Sequence, residues 1–242
     1  MLHGFGGSHA DWNGIVPALA QTARTLAYDL PGHAGSLDFP GAGPAKLAAR
    51  AILAHMADRG FGRVHIAGHS MGGAIAALMA IAAPERIASL TLLAPGGFGE
   101  EINGPLLRRY AAATGASEIR ACLARMSGPG HMVSDRSVAD RLAVRALPGQ
   151  SRKLQEIAAH ITRDDRQGAI PREALAGLTM PVAVLWGTED PVLPFRQAEA
   201  LPPSFQLHEI GNAGHMLIDE APRPVAASIL AMLDPVRRHG GS

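Results

Sequence analysis

Short apolar runs alternate with longer segments of helical periodicity over most of the chain. The short runs predict strands at Thr25–Asp29, Val64–Gly68, Leu90–Ala94, Val182–Trp186 and Phe205–Ile210. The longer segments predict helices at Pro44–Arg59, Met71–Ala83, Phe195–Leu201 and Pro222–Leu233. Strands that alternate with crossover helices are typical of parallel sheets, so this order predicts an α/β fold with a mostly parallel sheet flanked by helices.

The middle of the chain departs from this alternation. Between Pro105 and Ile161 it contains several helical segments separated by glycine and proline breaks, and no convincing strand. Because the strand–helix alternation resumes afterwards, we predict a helical lid inserted between two strands of one sheet. The predicted division is a first part of the core at residues 1–97, the lid at 98–172, and a second part of the core at 173–242 that ends in a frayed tail at Arg237–Ser242.

Composition and charge narrow the class of protein. With 242 residues, of which 47% are apolar, the chain suits one globular domain with an insertion. Its 22 basic and 21 acidic side chains are scattered, and without a basic stripe we expect no nucleic-acid partner. The single cysteine, Cys122, excludes an intrachain disulfide, and its apolar neighbours indicate a buried helix face. No charged leader or apolar run of membrane-spanning length is evident, so we expect a cytoplasmic protein without a membrane partner.

The segment Gly68-His69-Ser70-Met71-Gly72 fits the pattern Gly-x-Ser-x-Gly. The pentapeptide alone is a weak signal, because a serine after a glycine turn can simply cap a helix. Here it stands between a predicted strand and a predicted helix, which is the context of a nucleophilic serine at a sharp turn. Small neighbours permit the strained turn, and the amino end of the helix directs free N–H groups towards developing negative charge. We therefore predict Ser70 as a nucleophile.

A serine hydroxyl needs a base within hydrogen-bond reach, and the chain offers 11 histidines. We select His215, which follows the last predicted strand in a glycine-lined loop at the sheet edge where Ser70 also emerges. His69 adjoins Ser70 but is expected to point elsewhere on the turn. The carboxylate that fixes the histidine tautomer is assigned to Asp190, directly after a predicted strand, with Glu189 as its nearest rival.

The amino-terminal segment His3-Gly4-Phe5-Gly6-Gly7 is a glycine-rich loop that presents backbone N–H groups. Since no lysine follows it as in a P-loop, we do not interpret it as a phosphate cradle. We assign the oxyanion hole to the N–H groups of Phe5 and Met71, with Gly6 as the alternative to Phe5. No two histidines have metal-ligand spacing near a carboxylate, so we expect no metal ion and no other cofactor.

Five motifs together resemble the α/β-hydrolase superfamily. They are His3-Gly4-Phe5-Gly6-Gly7, Asp29-Leu30-Pro31-Gly32-His33, Gly68-His69-Ser70-Met71-Gly72-Gly73, Trp186-Gly187-Thr188-Glu189-Asp190 and Gly214-His215. The resemblance covers nearly the whole chain apart from the lid, and it implies the α/β-hydrolase fold with Ser70, Asp190 and His215 as a catalytic triad. It also implies structural roles for Asp29 and His3, which hold the loops beside the site, and for Glu220 in bracing the last helix.

The amino end departs from the pattern of this superfamily. Its members carry three strands before the histidine–glycine loop, whereas here the loop begins at His3. We therefore expect the amino-terminal strands to be missing or truncated, which leaves a gap in the sheet with unpaired backbone groups beside it. We hypothesise that a homodimer or a rearranged amino end fills this gap.

The expected reaction is hydrolysis of a small-molecule carboxylic ester through an acyl-enzyme. His215 takes the proton of Ser70, which attacks the ester carbonyl, and water then releases the acid. Apolar side chains in the lid favour a short or medium acyl chain and are expected to be exposed to the substrate; they are Leu106, Leu107, Met126, Met132 and Leu142.

Three alternatives stay open. The segment Pro95-Gly96-Gly97 resembles carbon–carbon bond hydrolases of ring-fission products, whose acidic substrate needs basic groups in the pocket. The candidate basic groups are Arg108, Arg109, Arg141 and Arg145. Solvation at the surface is the competing interpretation of these arginines. Residues 92–104 resemble the hydrolase-like domain of the acyltransferase component of acetoin dehydrogenase complexes, which raises acyl transfer to an acceptor other than water. The third alternative is a catalytically silent domain for binding or assembly, because a fold does not determine a function.

Overall fold

Four parallel strands form one sheet in the part of the chain that the computed structural model describes, residues 1–233. They follow one another across the sheet in chain order: β1 Val64–His69, β2 Ile87–Leu93, β3 Val182–Gly187 and β4 Gln206–Ile210. Each neighbouring pair is parallel, so the predicted α/β fold is confirmed. The tail predicted at Arg237–Ser242 lies outside the described residues.

Helices precede, connect and follow these strands. Their bounds are α1 Val16–Leu19, α2 Ala45–Asp58, α3 Met71–Ala82, α4 Gly104–Ala112, α5 Ala116–Met126, α6 Asp135–Arg145, α7 Gln150–Ile161, α8 Arg172–Ala176, α9 Leu217–Glu220 and α10 Pro222–Leu233. Helices α3 and α10 pack against the sheet, α2 packs on α3, and α1 packs on α10. The predicted helices that correspond to α2, α3 and α10 begin and end within one residue of these bounds. The predicted helix Phe195–Leu201 is a 3₁₀ turn at Phe195–Ala200.

The strand predicted at Thr25–Asp29 is wrong. Only Tyr28 pairs there, through a single parallel bridge to Leu2, and Leu2 bridges Gly68 of β1 on its other side. A strand needs a ladder of partners, and in this place the neighbouring segment supplies one bridging residue. Leu2 therefore links the Tyr28 segment to β1 at one end of the sheet only.

Beside Leu2 the sheet has a gap. A cavity of about 500 Å³ is lined by Met1 and Leu2, by Thr25 and Leu26 on one side, and by residues 64–67 of β1 on the other. The cavity follows the line along which a strand between these two segments would run. The homodimer or rearranged amino end that we hypothesised at this side of the sheet stays a prediction.

The region between β2 and β3 is helical, from α4 to α8. Helix α4 packs on α5 and α7, and α5 packs on α6. Most of the apolar side chains that we expected to be exposed in this region are buried. Leu106, Leu107 and Met126 pack into the core, and of the five expected side chains only Met132 is strongly exposed, at 87%. Within residues 1–233 no helix has both the length and the apolar character needed to cross a membrane, and the cytoplasmic location stays a prediction.

Glycines let α3 approach the backbone of the amino-terminal segment. A Cβ atom on Gly72 would overlap the carbonyl oxygen of Leu2 and lie 2.5 Å from that of His3. A Cβ atom on Gly73 would lie 2.8 Å from the Cβ atom of Pro95. These contacts leave no room for a methyl group, so the first turn of α3 is held directly against the amino-terminal segment and the loop that follows β2.

We expect the substitution Gly72→Ala to lower the free energy of unfolding by about 1–3 kcal/mol, since the methyl group has to displace backbone atoms. For a chain of this size, each kcal/mol lowers Tm by about 2–4 °C. Gly62→Ala is the matched control, because no atom lies within 4 Å of its Cβ position. Thermal unfolding of the two variants checks this prediction, and equal Tm values would contradict it.

Candidate active site

Ser70 lies on the turn between β1, which ends at His69, and α3, which begins at Met71. Its backbone has φ 52° and ψ −116°, a conformation that costs a side-chain-bearing residue about 1–3 kcal/mol. Hydrogen bonds hold this turn in place: the Ser70 N–H donates to the carbonyl of Leu93 and the Ser70 carbonyl accepts from the N–H of Gly96, both at 2.9 Å. The end of β2 and the loop after it therefore sustain the strained turn that presents the hydroxyl.

The structure brings the three predicted triad side chains into one chain of hydrogen bonds. The Ser70 Oγ atom lies 2.9 Å from Nε2 of His215, and Nδ1 of His215 lies 2.8 Å from Oδ2 of Asp190. A carboxylate only accepts, so the His215 Nδ1–H donates to Asp190 and the bare Nε2 accepts from the Ser70 hydroxyl. The side chains of His215 and Asp190 are buried.

Asp190 rather than Glu189 is the carboxylate beside His215. The other oxygen of Asp190, Oδ1, accepts the backbone N–H groups of Val192 and Leu193, each at 2.8 Å. These bonds fix the carboxylate plane and satisfy its charge without a cation. Glu189 is exposed, so its side chain has no part in this network.

The choice between Phe5 and Gly6 for the oxyanion hole also follows from hydrogen bonds. The N–H of Gly6 donates to Nε2 of His33 at 3.1 Å, so it is already engaged. The N–H groups of Phe5 and Met71 have no acceptor among residues 1–233. Gly4 brings the loop against the nucleophile, since a Cβ atom there would lie 3.3 Å from Cβ of Ser70. The N–H groups of Phe5 and Met71 are therefore free to donate, and their assignment to the oxyanion hole stays a prediction.

We expected His69 to point elsewhere on the turn, but its side chain contacts the backbone of His215. Its Nε2 lies 2.7 Å from the carbonyl oxygen of His215, and the two rings are 5.0 Å apart. A carbonyl accepts, so the proton of His69 is on Nε2. Its position directly before Ser70 was the sequence signal, but only the fold brings residues 69 and 215 together.

Three buried histidines support this site in the neutral form. His3 donates from Nδ1 to the carbonyl of Gly4 at 2.7 Å and accepts the Leu30 N–H at Nε2, at 2.9 Å. Burial lowers the pKa of His3 to about 4. Burial likewise lowers the pKa values of His33 and His69 to about 3, with the neighbouring His3 and His215, respectively, as the next cause. The structural role that the resemblance implied for His3 agrees with these contacts.

The helical region between β2 and β3 is tied to the amino-terminal segment through a buried ion pair that the sequence did not reveal. Arg141 on α6 contacts Asp11 at 2.5 Å, and both side chains are buried. Its Nε donates to the hydroxyl of Tyr110 at 3.1 Å, and that hydroxyl donates to the carbonyl of Gly6 at 3.4 Å. The interpretation of Arg141 and Arg145 as solvated surface residues is wrong, because both are buried. Residues 11 and 141 are too far apart in sequence to give a local signal.

A serine hydroxyl within hydrogen-bond distance of an imidazole, with free N–H groups at the adjacent helix end, is suited to nucleophilic attack on an acyl carbonyl. The nucleophile, acid and histidine also follow the chain order of α/β-hydrolases. Among residues 1–233 no group of three His, Cys, Asp or Glu side chains is arranged to hold a metal ion. Fold and site together define the class as a hydrolase with a serine at a strand–helix turn.

The model of the alpha/beta hydrolase family matches residues 1–228, and the chain belongs to this family. A dihydrolipoyllysine-residue acetyltransferase component of the acetoin cleaving system from Pseudomonas putida is 34% identical over 239 residues, which are 99% of this chain and 63% of that protein. The chain thus spans less than two thirds of the length of this relative. Both resemblances drawn from the motifs, to the superfamily and to the acetoin component, are confirmed.

Solved structures agree on the fold. A meta-cleavage product hydrolase from Pseudomonas fluorescens superposes with a TM-score of 0.83 at 22% identity, over 96% of this chain and 88% of that one. A carboxylesterase from Bacillus subtilis superposes with a TM-score of 0.77 at 23% identity, over 96% and 81% of the two chains. At these identities the likeness shows the α/β-hydrolase fold.

The buried histidines predict how stability depends on pH. In the unfolded chain they titrate near 6.5, so between about pH 6 and 4 the unfolded state binds more protons and stability falls as the pH falls. Three such groups give a slope of up to about 4 kcal/mol per pH unit. Urea unfolding between pH 7.5 and 4.5 measures this slope. We expect His3→Gln to lower it by about a third near pH 5, and an unchanged slope would contradict the burial of a neutral His3.

Proposed function

We propose that this protein is a serine hydrolase that cleaves a small-molecule carboxylic ester of short or medium acyl chain through an acyl-enzyme on Ser70. The observation that carries the proposal is the hydrogen-bonded chain from Asp190 through His215 to Ser70, with distances of 2.8 and 2.9 Å. A serine that only capped a helix would need neither a buried histidine at its hydroxyl nor a buried carboxylate behind that histidine.

In the proposed reaction His215 takes the proton of the Ser70 hydroxyl as its oxygen attacks the ester carbonyl. Asp190 stabilises the resulting imidazolium, and its bonds to Val192 and Leu193 keep it in place during the transfer. The imidazolium then gives its proton to the leaving alcohol. Water, deprotonated by the same His215, attacks the acyl-enzyme and releases the acid and the free Ser70 hydroxyl.

The oxyanion of each tetrahedral intermediate is assigned to the N–H groups of Phe5 and Met71. A donor of this kind contributes about 10²–10³ in kcat, because it is already oriented before charge develops. The engagement of the Gly6 N–H by His33 supports Phe5 over Gly6. His33 in turn is kept neutral by burial, so it accepts that bond at neutral pH.

Hydrolysis of p-nitrophenyl esters from acetate to decanoate tests this proposal. We expect the wild type to turn over the shorter esters and Ser70→Ala to lose at least about 10⁴ in kcat, as removal of a triad member does. Asp190→Asn is expected to lose about 10⁴ as well, because the amide favours the wrong tautomer of His215. Circular dichroism confirms that each variant is folded.

The outcomes of this experiment separate the alternatives. If added alcohols or thiols accept the acyl group and hydrolysis falls in proportion, the protein is an acyltransferase. This result would agree with the resemblance to the acetoin component. A folded wild type that hydrolyses none of the esters contradicts the ester proposal. A wild type that also fails to react with a fluorophosphonate at Ser70 is a catalytically silent domain.

One observation favours carbon–carbon bond hydrolysis of an acidic substrate as the second candidate. Arg145 is buried beside the glycine-rich loop, with Nη2 3.4 Å from the Cβ position of Gly6. Its Nε and Nη2 donate to the carbonyls of Ala113 and Tyr110, but its buried Nη1 has no partner among residues 1–233. A substrate carboxylate would satisfy this donor.

The substitution Arg145→Met tests the second candidate on an acidic ring-fission dienone and on neutral p-nitrophenyl acetate. A hydrogen bond to a charged group contributes about 1.5–3 kcal/mol, so we expect kcat/KM for the dienone to fall at least tenfold while that for the neutral ester changes little. Arg109→Met, at an exposed position of the neighbouring helix α4, is the control. Equal losses for both substrates would contradict a carboxylate subsite.

A further inference from the structure

The carboxylate of Glu220 accepts three backbone N–H groups that surround the candidate base. Its Oε2 accepts the N–H of Gly214 at 2.8 Å, and its Oε1 accepts the N–H of Met216, also at 2.8 Å. These two residues flank His215. The third bond comes from the lid region, where the N–H of Gly128 donates to the same Oε2 at 2.7 Å. One side chain thus joins the histidine loop on both sides of His215 to the segment after α5.

The lid and the histidine loop also meet directly, backbone against backbone. The N–H of His215 donates to the carbonyl of Met126, the last residue of α5, at 2.8 Å. A Cβ atom on Gly128 would overlap the carbonyl of Asn212 and lie 2.7 Å from the backbone nitrogen of Gly214. No side chain fits between the two segments, so a shift of the end of α5 has to move the histidine loop with it.

Other hydrogen bonds hold this loop from the side of the sheet: His69 Nε2 donates to the carbonyl of His215 at 2.7 Å, and the N–H of Glu189 donates to the carbonyl of Ala213 at 3.0 Å. The loop leaves β4 at Ile210, passes through Asn212 with a positive φ of 57°, and reaches only the four-residue helix α9 before α10 begins. A short irregular segment of this kind gains its shape from the groups that satisfy its backbone N–H donors. Bonds from N–H groups to a carboxylate are stronger than bonds between neutral groups. Glu220 is the group that satisfies the backbone N–H donors on both sides of His215, so the position of the imidazole depends in part on Glu220.

We propose that Glu220 is a positioning residue that holds His215 in line with Ser70 and couples this alignment to the lid. The inference rests on the proposed function, because it assumes that His215 activates Ser70. It differs from the role of bracing the last helix, which would affect stability without a specific effect on the base. Glu220 touches no reacting atom, and its effect is transmitted through the backbone on either side of His215.

The chemistry of the three bonds requires a carboxylate at this position. Both oxygens of Glu220 accept, one from two N–H groups and one from a third. A glutamine offers a single acceptor oxygen, and its NH₂ group has to face at least one N–H donor. The substitution Glu220→Gln keeps the size of the side chain and removes only one of its two acceptor oxygens and the negative charge.

The first test compares Glu220→Gln with Glu209→Gln, an identical change at an exposed position of β4. A displacement of a catalytic group by about 1 Å lowers the rate by about 10², so we expect kcat of Glu220→Gln to fall about 100-fold with KM within threefold. The second-order rate constant for labelling Ser70 with a fluorophosphonate is expected to fall by a similar factor. Glu209→Gln is expected to match the wild type in both.

The second test changes a residue of the segment after α5, which donates one of the three hydrogen bonds to Glu220. Gly128→Ala pushes the segment after α5 against Asn212 and Gly214, whereas the control Gly168→Ala has no atom within 4 Å of its Cβ position. We expect Gly128→Ala to lower kcat at least tenfold and the double variant with Glu220→Gln to be less than additive, because both disturb one alignment. Full additivity of the two losses in kcat would contradict the coupling to the lid.

A spectroscopic measurement separates the failure of this inference from that of the proposed function. The low-field proton resonance of the His215 Nδ1–H reports its bond to Asp190 without any substrate. We expect this resonance in the wild type and its loss or shift in Glu220→Gln, even if no ester is hydrolysed. An unchanged resonance, or kcat and labelling rates within threefold of the wild type in a folded Glu220→Gln protein, overturns the inference. A wild type that is labelled at Ser70 but hydrolyses no ester overturns only the ester proposal.

Discussion

The strained turn at Ser70 is the constraint on which the rest of the structure depends. A serine with positive φ between a strand and a helix persists only because the surrounding backbone fixes it from several sides. Leu93 and Gly96 hold its peptide groups, and the glycines at the start of α3 allow the helix to lie against Leu2. The four-stranded sheet thus acts as a rigid base that directs one hydroxyl out of the carboxyl edge of β1.

Burial determines the electrostatics around this turn. His3 and His33, which hydrogen-bond to the glycine-rich loop, are neutral because desolvation disfavours their charged form. In each ring one nitrogen donates a hydrogen bond and the other accepts one. Two buried charged groups beside the site are paired or hydrogen-bonded, as in Arg141 with Asp11 and in Asp190 with its two backbone donors. The site therefore combines a rigid neutral frame with a few well-placed charges.

The helical region between β2 and β3 is joined to the site at several points. Tyr110 reaches the carbonyl of Gly6, Arg141 pairs with Asp11, and the end of α5 bonds to the backbone of His215. Because these contacts reach both the amino-terminal segment and the histidine loop, the helical region supports the geometry of the site.

Local patterns in the sequence predicted the four strands of the sheet, helices α2, α3 and α10, and the family, because periodicity and turn motifs act over a few neighbouring residues. They also indicated Ser70 and His215 as site candidates, and left Asp190 and Glu189 as rivals for the acid. The segment at Thr25–Asp29 has the pattern of a strand but lacks a partner ladder, which only the sheet decides. The tertiary structure alone selected Asp190 over Glu189, engaged the N–H of Gly6, and joined lid to loop through Glu220. These outcomes depend on hydrogen bonds between residues distant in sequence, for which a single chain carries no local signal.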